Sequence, residues 1–152
     1  MRARQGMTRP QTVLAFDFGL KRIGIAGGDT LTRQATARAA AAVHGGTPDW
    51  QAIAREVRAL TPAVLIVGAP YNADGSEGTL LARARRFAAE LERRFALPVQ
   101  LVDERFSSLE AQQALKARRA SGRRGRIQRA DIDSAAAAVI LGRWFQGEGQ
   151  GT

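Results

Sequence analysis

The stretch VLAFDFGLKRIG, residues 13–24, decides the fold because it joins an apolar segment, a carboxylate and a glycine turn. Residues 13–18 are apolar or aromatic except for Asp17, and this pattern predicts a buried strand. A carboxylate enters such a strand only when it is paired, hydrogen-bonded or bound to a cation, because losing its water is costly. Gly19 allows a tight turn, and residues 23–28 are predicted to return as an antiparallel second strand.

Two cations, Lys21 and Arg22, lie at the predicted bend. An acid at a strand end beside two cations suits a metal site that meets a phosphate group. An equally supported interpretation is that Asp17 stabilises the turn and that the cations are simply solvated. This segment alone leaves both interpretations open.

The composition limits the classes of partner and of chemistry. The 152 residues include 23 basic and 14 acidic side chains, and the net charge of +9 favours a polyanionic partner such as nucleic acid. The length predicts one domain, residues 11–145, with flexible termini at 1–10 and 146–152. No apolar run approaches the ~20 residues of a membrane helix, so we expect a soluble, cytoplasmic protein with no membrane partner.

The side chains available for metal binding are also limited. The sequence has no cysteine, which excludes disulfides, thiolate metal sites and cysteine nucleophiles. His44 is the only histidine, so a site built on paired histidines is excluded as well. A bound metal must therefore depend mainly on carboxylate oxygen, which favours Mg²⁺ or Mn²⁺.

The rest of the chain is predicted to contain further strands and helices. Strands are predicted over 34–43, 63–68 and 97–102, although the alanine-rich residues 34–43 also suit a short helix. Helical spacing of apolar residues covers 50–60, 80–95, 109–115 and 134–141. Thr47 is predicted to cap the first of these helices, with Pro48 in its first turn. The last helix is predicted to begin near Asp131 or Asp133 and to be largely buried.

Three carboxylates occupy comparable positions in this scheme. Asp17 ends one strand, Glu104 follows the end of another, and Asp133 starts the last helix. Functional groups gather at the carboxyl ends of parallel strands, so Asp17 and Glu104 are expected to share an edge if their strands are parallel neighbours. Three crowded carboxylates repel one another unless divalent cations neutralise them. Two ions roughly 3.5–4 Å apart can activate water and stabilise the leaving oxygen of a phosphodiester.

Simpler alternatives exist for these residues. Glu104 can pair with Arg105, and Asp131 or Asp133 can be an ordinary N-cap of the last helix. The basic stretch 116–129, with Arg123, Arg124 and Arg126, is a candidate for phosphate contact or merely a solvated segment.

Four blocks in this order resemble the YqgF/RuvX family of Holliday junction resolvases and pre-16S rRNA nucleases. They are FDFGLKRIGIA (16–26), VGAPYNADGSEG (67–78), VDERFSS (102–108) and DSAAAAVIL (133–141). One block is a weak signal, whereas four at this spacing over residues 13–145 are specific. The family usually has Leu where Tyr71 stands and often Thr in place of Ser107, and neither change affects the predicted metal site.

The resemblance implies an α/β, ribonuclease H-like fold. Its five-stranded mixed sheet has three antiparallel strands followed by two parallel ones, with helices on both faces. It also implies that Asp17, Glu104 and Asp133 are the catalytic, metal-binding acids of a phosphodiesterase. The substrate contacts that it implies are Lys21, Arg22, Asn72, Asp74 and Arg105.

We therefore expect a Mg²⁺- or Mn²⁺-dependent endonuclease that acts on structured nucleic acid, with the 5′ end of pre-16S rRNA as its main substrate. Resolution of Holliday junctions in branched DNA is the alternative. It would call for a homodimer with two active sites, whereas a monomer suffices for RNA trimming. A third hypothesis is a nucleic-acid-binding protein without catalysis. The Asp-x-Gly hairpin also resembles the phosphate motif of actin-like ATPases, but those need two such domains.

Overall fold

A mixed β-sheet organises the residues that the computed structural model describes, which are 10–69, 78–103 and 129–147. The strands are β1 (Thr12–Asp17), β2 (Arg22–Asp29), β3 (Ala35–His44), β4 (Thr47–Pro48), β5 (Val64–Ala69) and β6 (Val99–Asp103). The helices in these ranges are α1 (Trp50–Leu60), α2 (Thr79–Phe95) and α3 (Arg129–Gln146). The strand order across the sheet is β4-β3-β2-β1-β5-β6.

The pairing confirms the predicted mixed sheet. β1 and β2 form an antiparallel hairpin whose register runs from Thr12↔Asp29 to Asp17↔Gly24. β2 and β3 are also antiparallel, whereas β1 pairs with β5, and β5 with β6, in parallel. The alanine-rich segment is therefore a strand, as preferred. The sheet has six strands rather than the predicted five, because the two-residue β4 adds to its edge.

The start of α1 differs from the prediction. The Ala52 amide donates to the Asp49 Oδ1 at 3.1 Å, so Asp49 is the N-cap and Thr47 is not. Gly45 and Gly46 both have positive φ, 58° and 82°, which suits a tight two-residue hairpin turn. This turn brings β4 back beside the end of β3 and moves the start of the helix beyond Pro48.

Helices cover both faces of the sheet, as predicted. Alternate residues of β1 point to opposite faces, so Leu14 and Phe16 pack with α1 and α2, whereas Val13 and Ala15 pack with α3. On the first face, Ile53 of α1 and Leu91 of α2 are fully buried. We call these two faces the α1/α2 face and the α3 face.

Helix α3 packs on one face of the sheet, mainly against β2, β3 and β1. Its small residues Ala136 and Ala137 are buried, which lets the helix backbone approach the sheet closely. Near its end, the Trp144 Nε1 donates to the Gln100 Oε1 at 2.9 Å and ties the helix to β6. Among the described helices, none combines the length and hydropathy that a membrane crossing requires.

Candidate active site

Asp17 lies at the carboxyl end of β1, at the point where the strand leaves the core. Residues 13–16 are fully buried and Asp17 is half-buried. By the alternation along β1, Asp17 is on the α3 face, together with Val13 and Ala15. Its partner in the register is Gly24, which has no side chain to crowd the carboxylate.

The three parallel strands β1, β5 and β6 end at the same edge of the sheet, where Asp17 lies. The register places Phe16 of β1 beside Val67 of β5, and Val67 beside Leu101 of β6. β6 ends at Asp103, and Glu104 is the next residue in the chain. The strands that precede Asp17 and Glu104 are therefore parallel, as expected, but they are not neighbours, because β5 lies between them.

Helix α3 lies over this edge on the same face as Asp17. Ser134 is 1% exposed, and its Oγ accepts a long hydrogen bond, 3.4 Å, from the Ile25 amide of β2. Ile25 is the register partner of Phe16, next to the pair Asp17↔Gly24. The backbone of Asp133, adjacent to Ser134, is thus near the end of β1.

A β-bulge accompanies this contact. Between the pairs Ile23↔Ala41 and Ile25↔Arg38 the chain advances two residues on β2 but three on β3. The extra residue of the bulge therefore belongs to β3. Bulges interrupt the ladder of backbone hydrogen bonds and are frequent beside active sites. Here the Ser134 hydroxyl meets a backbone amide at the interruption.

The position of Asp133 excludes one simpler alternative. The last helix already includes Arg129, so Asp133 lies inside α3 and is not its N-cap. The prediction that the helix begins near Asp131 or Asp133 is therefore wrong by at least two residues.

The β1–β2 hairpin carries the predicted cations beside Asp17. Lys21 is exposed at the tip, and its carbonyl accepts from the Val43 amide at 2.9 Å, which holds the tip against β3. Arg22 is half-buried and starts β2. A Cβ at Gly19 would lie 2.5 Å from the Arg22 carbonyl oxygen, so the turn has no room for a side chain at this position.

A cavity of about 330 Å³ opens at the same edge of the sheet, on the α1/α2 face. Phe18, which follows Asp17, lines it together with Leu20 at the hairpin tip and Trp50 at the start of α1. Arg83 and Arg86 of α2 complete its polar side. Local sequence pattern did not indicate this cavity. Trp50 is one of the apolar residues at helical spacing over 50–60, and Arg83 and Arg86, one turn apart beside Phe87, belong to no motif that marks a site.

The clearest pKa shift near this edge is that of Glu90, which also lines the cavity. A side-chain hydrogen bond from Arg93 is the main reason that the pKa of Glu90 lies below its ordinary value of 4.5. Arg94 adds a second hydrogen bond, from Nε to Oε2 at 2.7 Å. The Glu90 charge is therefore offset locally by two guanidinium groups.

Several predicted site residues lie outside the described residues. They are Asn72, Asp74, Glu104, Arg105, Arg123, Arg124 and Arg126, and most of the basic stretch 116–129 lies there too. In the described part of the chain, no three acidic or histidine side chains are grouped closely enough to hold a metal ion. With Glu104 and the side chain of Asp133 outside that part, the metal triad stays a prediction.

Comparison with known proteins supports the family that the sequence blocks indicate. The family model described as "RuvX: Holliday junction resolvase" matches residues 11–147. A protein of Xanthomonas campestris pv. campestris strain 8004 is 45% identical over 148 residues, 97% of this chain and 96% of the relative. One from Coxiella burnetii strain RSA 493 is 45% identical over 134 residues, 88% of this chain and 91% of the relative. Both carry the name "Putative pre-16S rRNA nuclease".

Solved structures support the fold. Thermus thermophilus RuvC in complex with a Holliday junction substrate has a TM-score of 0.54 and 16% identity, covering 92% of this chain and 96% of RuvC. The yeast mitochondrial Holliday junction resolvase Ydc2 has a TM-score of 0.51 and 10% identity, covering 91% of this chain and 79% of Ydc2. At such identities the likeness concerns the fold alone, which is the predicted ribonuclease H-like one. The family model and the 45% identical relatives together show that the chain belongs to the RuvX family.

Proposed function

We propose that this protein is a divalent-metal-dependent endonuclease that hydrolyses phosphodiester bonds in structured nucleic acid. The observation that carries the proposal is the half-buried Asp17 at an edge where three parallel strands end and where α3 crosses on the same face. This arrangement occurs in a chain of the RuvX family with a net charge of +9. Such a charge favours an anionic substrate.

The catalytic acids in this proposal are Asp17, Glu104 and Asp133. Along β6, Gln100 and Val102 face α3, the helix on the same face as Asp17, and Glu104 follows this strand directly in the chain. The set consists of carboxylate oxygens, which fit Mg²⁺ or Mn²⁺. When bound, such ions supply water activation and stabilisation of the leaving oxygen.

The remaining candidate residues bind and orient the substrate in this proposal. Lys21 is exposed at the hairpin tip beside Asp17, where an ammonium group can meet a backbone phosphate. Arg22, Asn72, Asp74 and Arg105 are retained as substrate contacts through the family resemblance. We assign Arg123, Arg124 and Arg126 to phosphate binding because their stretch, 116–129, contains no acid.

We favour the 5′ end of pre-16S rRNA as the substrate, because the relatives at 45% identity carry that activity in their names. A single domain over residues 11–145 that acts in the cytoplasm as a monomer suffices for this task. Branched DNA is the second candidate, favoured by the description of the matching family model. Symmetric cutting of a junction would require a homodimer, so the mass of the protein in solution separates the two tasks.

The test compares the wild type with Asp17→Asn on a labelled pre-16S rRNA fragment and on a synthetic four-way DNA junction. We expect cleavage by the wild type with Mn²⁺ or Mg²⁺, none with EDTA, and at least a hundredfold loss in Asp17→Asn. The matched control is Asp29→Asn, because Asp29 lies on the same hairpin at the opposite end of the register. Cleavage by Asp17→Asn at the wild-type rate would refute the proposal.

A further inference from the structure

The cavity on the α1/α2 face is adjacent to the candidate active site but is not part of it. Its volume of about 330 Å³ is within the range of sites for small organic ligands. Phe18 lines the cavity and follows Asp17 directly, yet alternation along the chain directs the two side chains to opposite faces. A strand of nucleic acid that crosses the hairpin tip would therefore meet both.

Aromatic and aliphatic side chains form the apolar part of the cavity. The Trp50 ring stacks on Phe87 with centroids 5.5 Å apart, and the Arg94 guanidinium lies 4.2 Å from the Trp50 centroid. The Trp50 ring is thus already contacted by protein groups. Phe18 also contacts Phe87, with ring centroids 5.3 Å apart, but it is only half-buried, and Leu20 is 56% exposed, so both have surface left to contact a ligand.

Leu20 is unusual for its exposure. Among the described residues, the large apolar side chains that are exposed are Leu20 and Leu31, the latter at 73%. Leu20 differs from Leu31 because it lines a cavity, whereas Leu31 lies at the other end of the hairpin, in the turn after β2. An exposed leucine at the mouth of an apolar cavity gains from a ligand that covers it.

The polar side of the cavity is positively charged. Arg83 and Arg86 are exposed on α2 and lie one helical turn apart. The acid that lines the cavity, Glu90, is bonded to Arg93 and Arg94, which offsets its negative charge. A ligand with a flat apolar part and an anionic part matches this combination.

We propose that this cavity binds one unpaired nucleobase of a nucleic-acid strand, with the adjoining phosphate held by Arg83 and Arg86. Single-stranded nucleic acids are recognised through stacking on aromatic or guanidinium groups and through cationic contacts to the backbone. The base packs against Phe18 and Leu20. The inference deepens the proposed function, because the same strand reaches Asp17 across the hairpin tip. The binding step itself is measurable without cleavage.

The test uses the intrinsic fluorescence of the full chain with EDTA present. The chain has two tryptophans, and Trp144→Phe leaves Trp50, which lines the cavity, as the reporter. The probes are a uridine tetranucleotide and the same backbone without bases. We expect saturable quenching by the tetranucleotide and about tenfold weaker binding of the abasic backbone, since one stacked base is lost. Equal affinities for the two probes would overturn the proposal.

Matched variants separate cavity binding from general charge. Arg83→Ala with Arg86→Ala should weaken tetranucleotide binding at least tenfold, whereas Arg55→Ala with Arg58→Ala removes equal charge from α1 and should change it less than threefold. Leu20→Ala should weaken binding of the tetranucleotide but not of the abasic backbone, and Leu31→Ala should affect neither. All six positions are exposed, so their truncation spares the core. Similar effects of cavity and control variants would contradict the assignment.

A failure of the cavity proposal can be distinguished from a failure of the proposed nuclease function. Asp17→Asn should bind the tetranucleotide as the wild type does, because Asp17 is on the α3 face and the cavity is on the other. Base-dependent binding in a protein that cleaves neither substrate would leave the cavity assignment intact and refute the nuclease. Cleavage by a wild type that shows no base-dependent binding would support the nuclease and refute the cavity assignment.

Discussion

The Ile25 amide donates a hydrogen bond to the Oγ of Ser134 across a sequence separation of 109 residues. It joins β2 to α3 beside the pair Phe16↔Ile25, one position from Asp17. Among the residues whose side chains the structure describes, Ser134 is the buried polar residue. A buried polar side chain is tolerated when it is hydrogen-bonded, and here the bond also sets where Asp133 crosses the sheet.

Ser134→Ala should lower the free energy of unfolding by about 1 kcal/mol, because it leaves the buried Ile25 amide without this acceptor. The long 3.4 Å contact favours the lower end of the usual range. Urea unfolding followed by circular dichroism measures the change. We also expect slower cleavage by Ser134→Ala. Ser134→Thr keeps the hydroxyl, so recovery of stability and cleavage in this variant would separate the hydrogen bond from simple packing. Unchanged stability and cleavage in Ser134→Ala would contradict a role for the bond.

Gly19→Ala should lower cleavage at least tenfold, because a Cβ would lie 2.5 Å from the Arg22 carbonyl oxygen and the hairpin tip would have to move. We expect a loss of about 1–3 kcal/mol in the free energy of unfolding as well. Gly142→Ala is the control, since an added Cβ there has no neighbour within 4 Å. In a helix that change is neutral or stabilises by up to about 1 kcal/mol. Equal behaviour of the two variants in urea unfolding and cleavage assays would count against the steric argument.

Asp49→Ala should destabilise the protein by about 0.5–2 kcal/mol, the usual cost of losing an N-cap. The cause is the loss of the hydrogen bond that the Ala52 amide donates to the Asp49 Oδ1. Thr47→Ala, at the position that the sequence pattern favours as the cap, should change stability by less than about 0.5 kcal/mol. Thermal or urea unfolding distinguishes the two, and a larger effect at Thr47 would restore the original assignment.

The ion pair at Glu90 should make stability depend on pH below about 4.5, the ordinary pKa of this carboxyl. The hydrogen bond from Arg93 lowers the pKa of folded Glu90, so the folded state binds the proton less readily than the unfolded state. The stabilisation is present above the ordinary pKa and is lost as the pH falls through the lowered value.

Urea midpoints between pH 3 and 6 measure this contribution. Glu90→Gln should show a shallower fall in midpoint than the wild type over that range. Glu92→Gln removes one charge from the same helix but leaves Glu90 with Arg93 and Arg94, so it should follow the wild type. Identical curves for the wild type and Glu90→Gln would show that the pair does not stabilise the fold.

Replacement of Arg123, Arg124 and Arg126 by Ala should flatten the salt dependence of nucleic-acid binding. Each phosphate contact on duplex DNA contributes about 0.9 to the negative log–log slope, and on single strands about 0.7. We therefore expect the slope to fall by up to about 2.7 on duplex DNA, measured by fluorescence anisotropy from 50 to 300 mM KCl. Asp17→Asn should keep the wild-type slope, because it removes no cation. An unchanged slope in the triple variant would show that these three arginines do not contact phosphate groups.

Much of the fold follows from local sequence pattern. The β1–β2 hairpin was predictable because a continuous apolar run, Gly19 and the returning strand all lie within the 18 residues from Thr12 to Asp29. Helix α2 was predictable from the spacing between Leu80 and Phe95. Asp17 was recognisable as a functional candidate because a carboxylate in an apolar strand requires a physical explanation.

Tertiary structure decided what local pattern left ambiguous. The alanine-rich β3 has residues that favour helices, and pairing with β2 made it a strand, since an unpaired β2 edge would leave backbone groups unsatisfied. The Gly45–Gly46 turn moved the cap of α1 from Thr47 to Asp49, because β4 pairs back onto β3. Both outcomes depend on contacts with other strands, which propensity does not encode.

The same distinction holds at the candidate site. The sequence by itself determined the identity of the three predicted acids and the family to which they point. Only the folded chain determined that Asp17 and α3 share one face, that Ser134 meets Ile25, and that Phe18, Trp50 and Arg83 line one cavity. These relationships join residues far apart in sequence, and the register and packing of the sheet, rather than local spacing, bring such residues together.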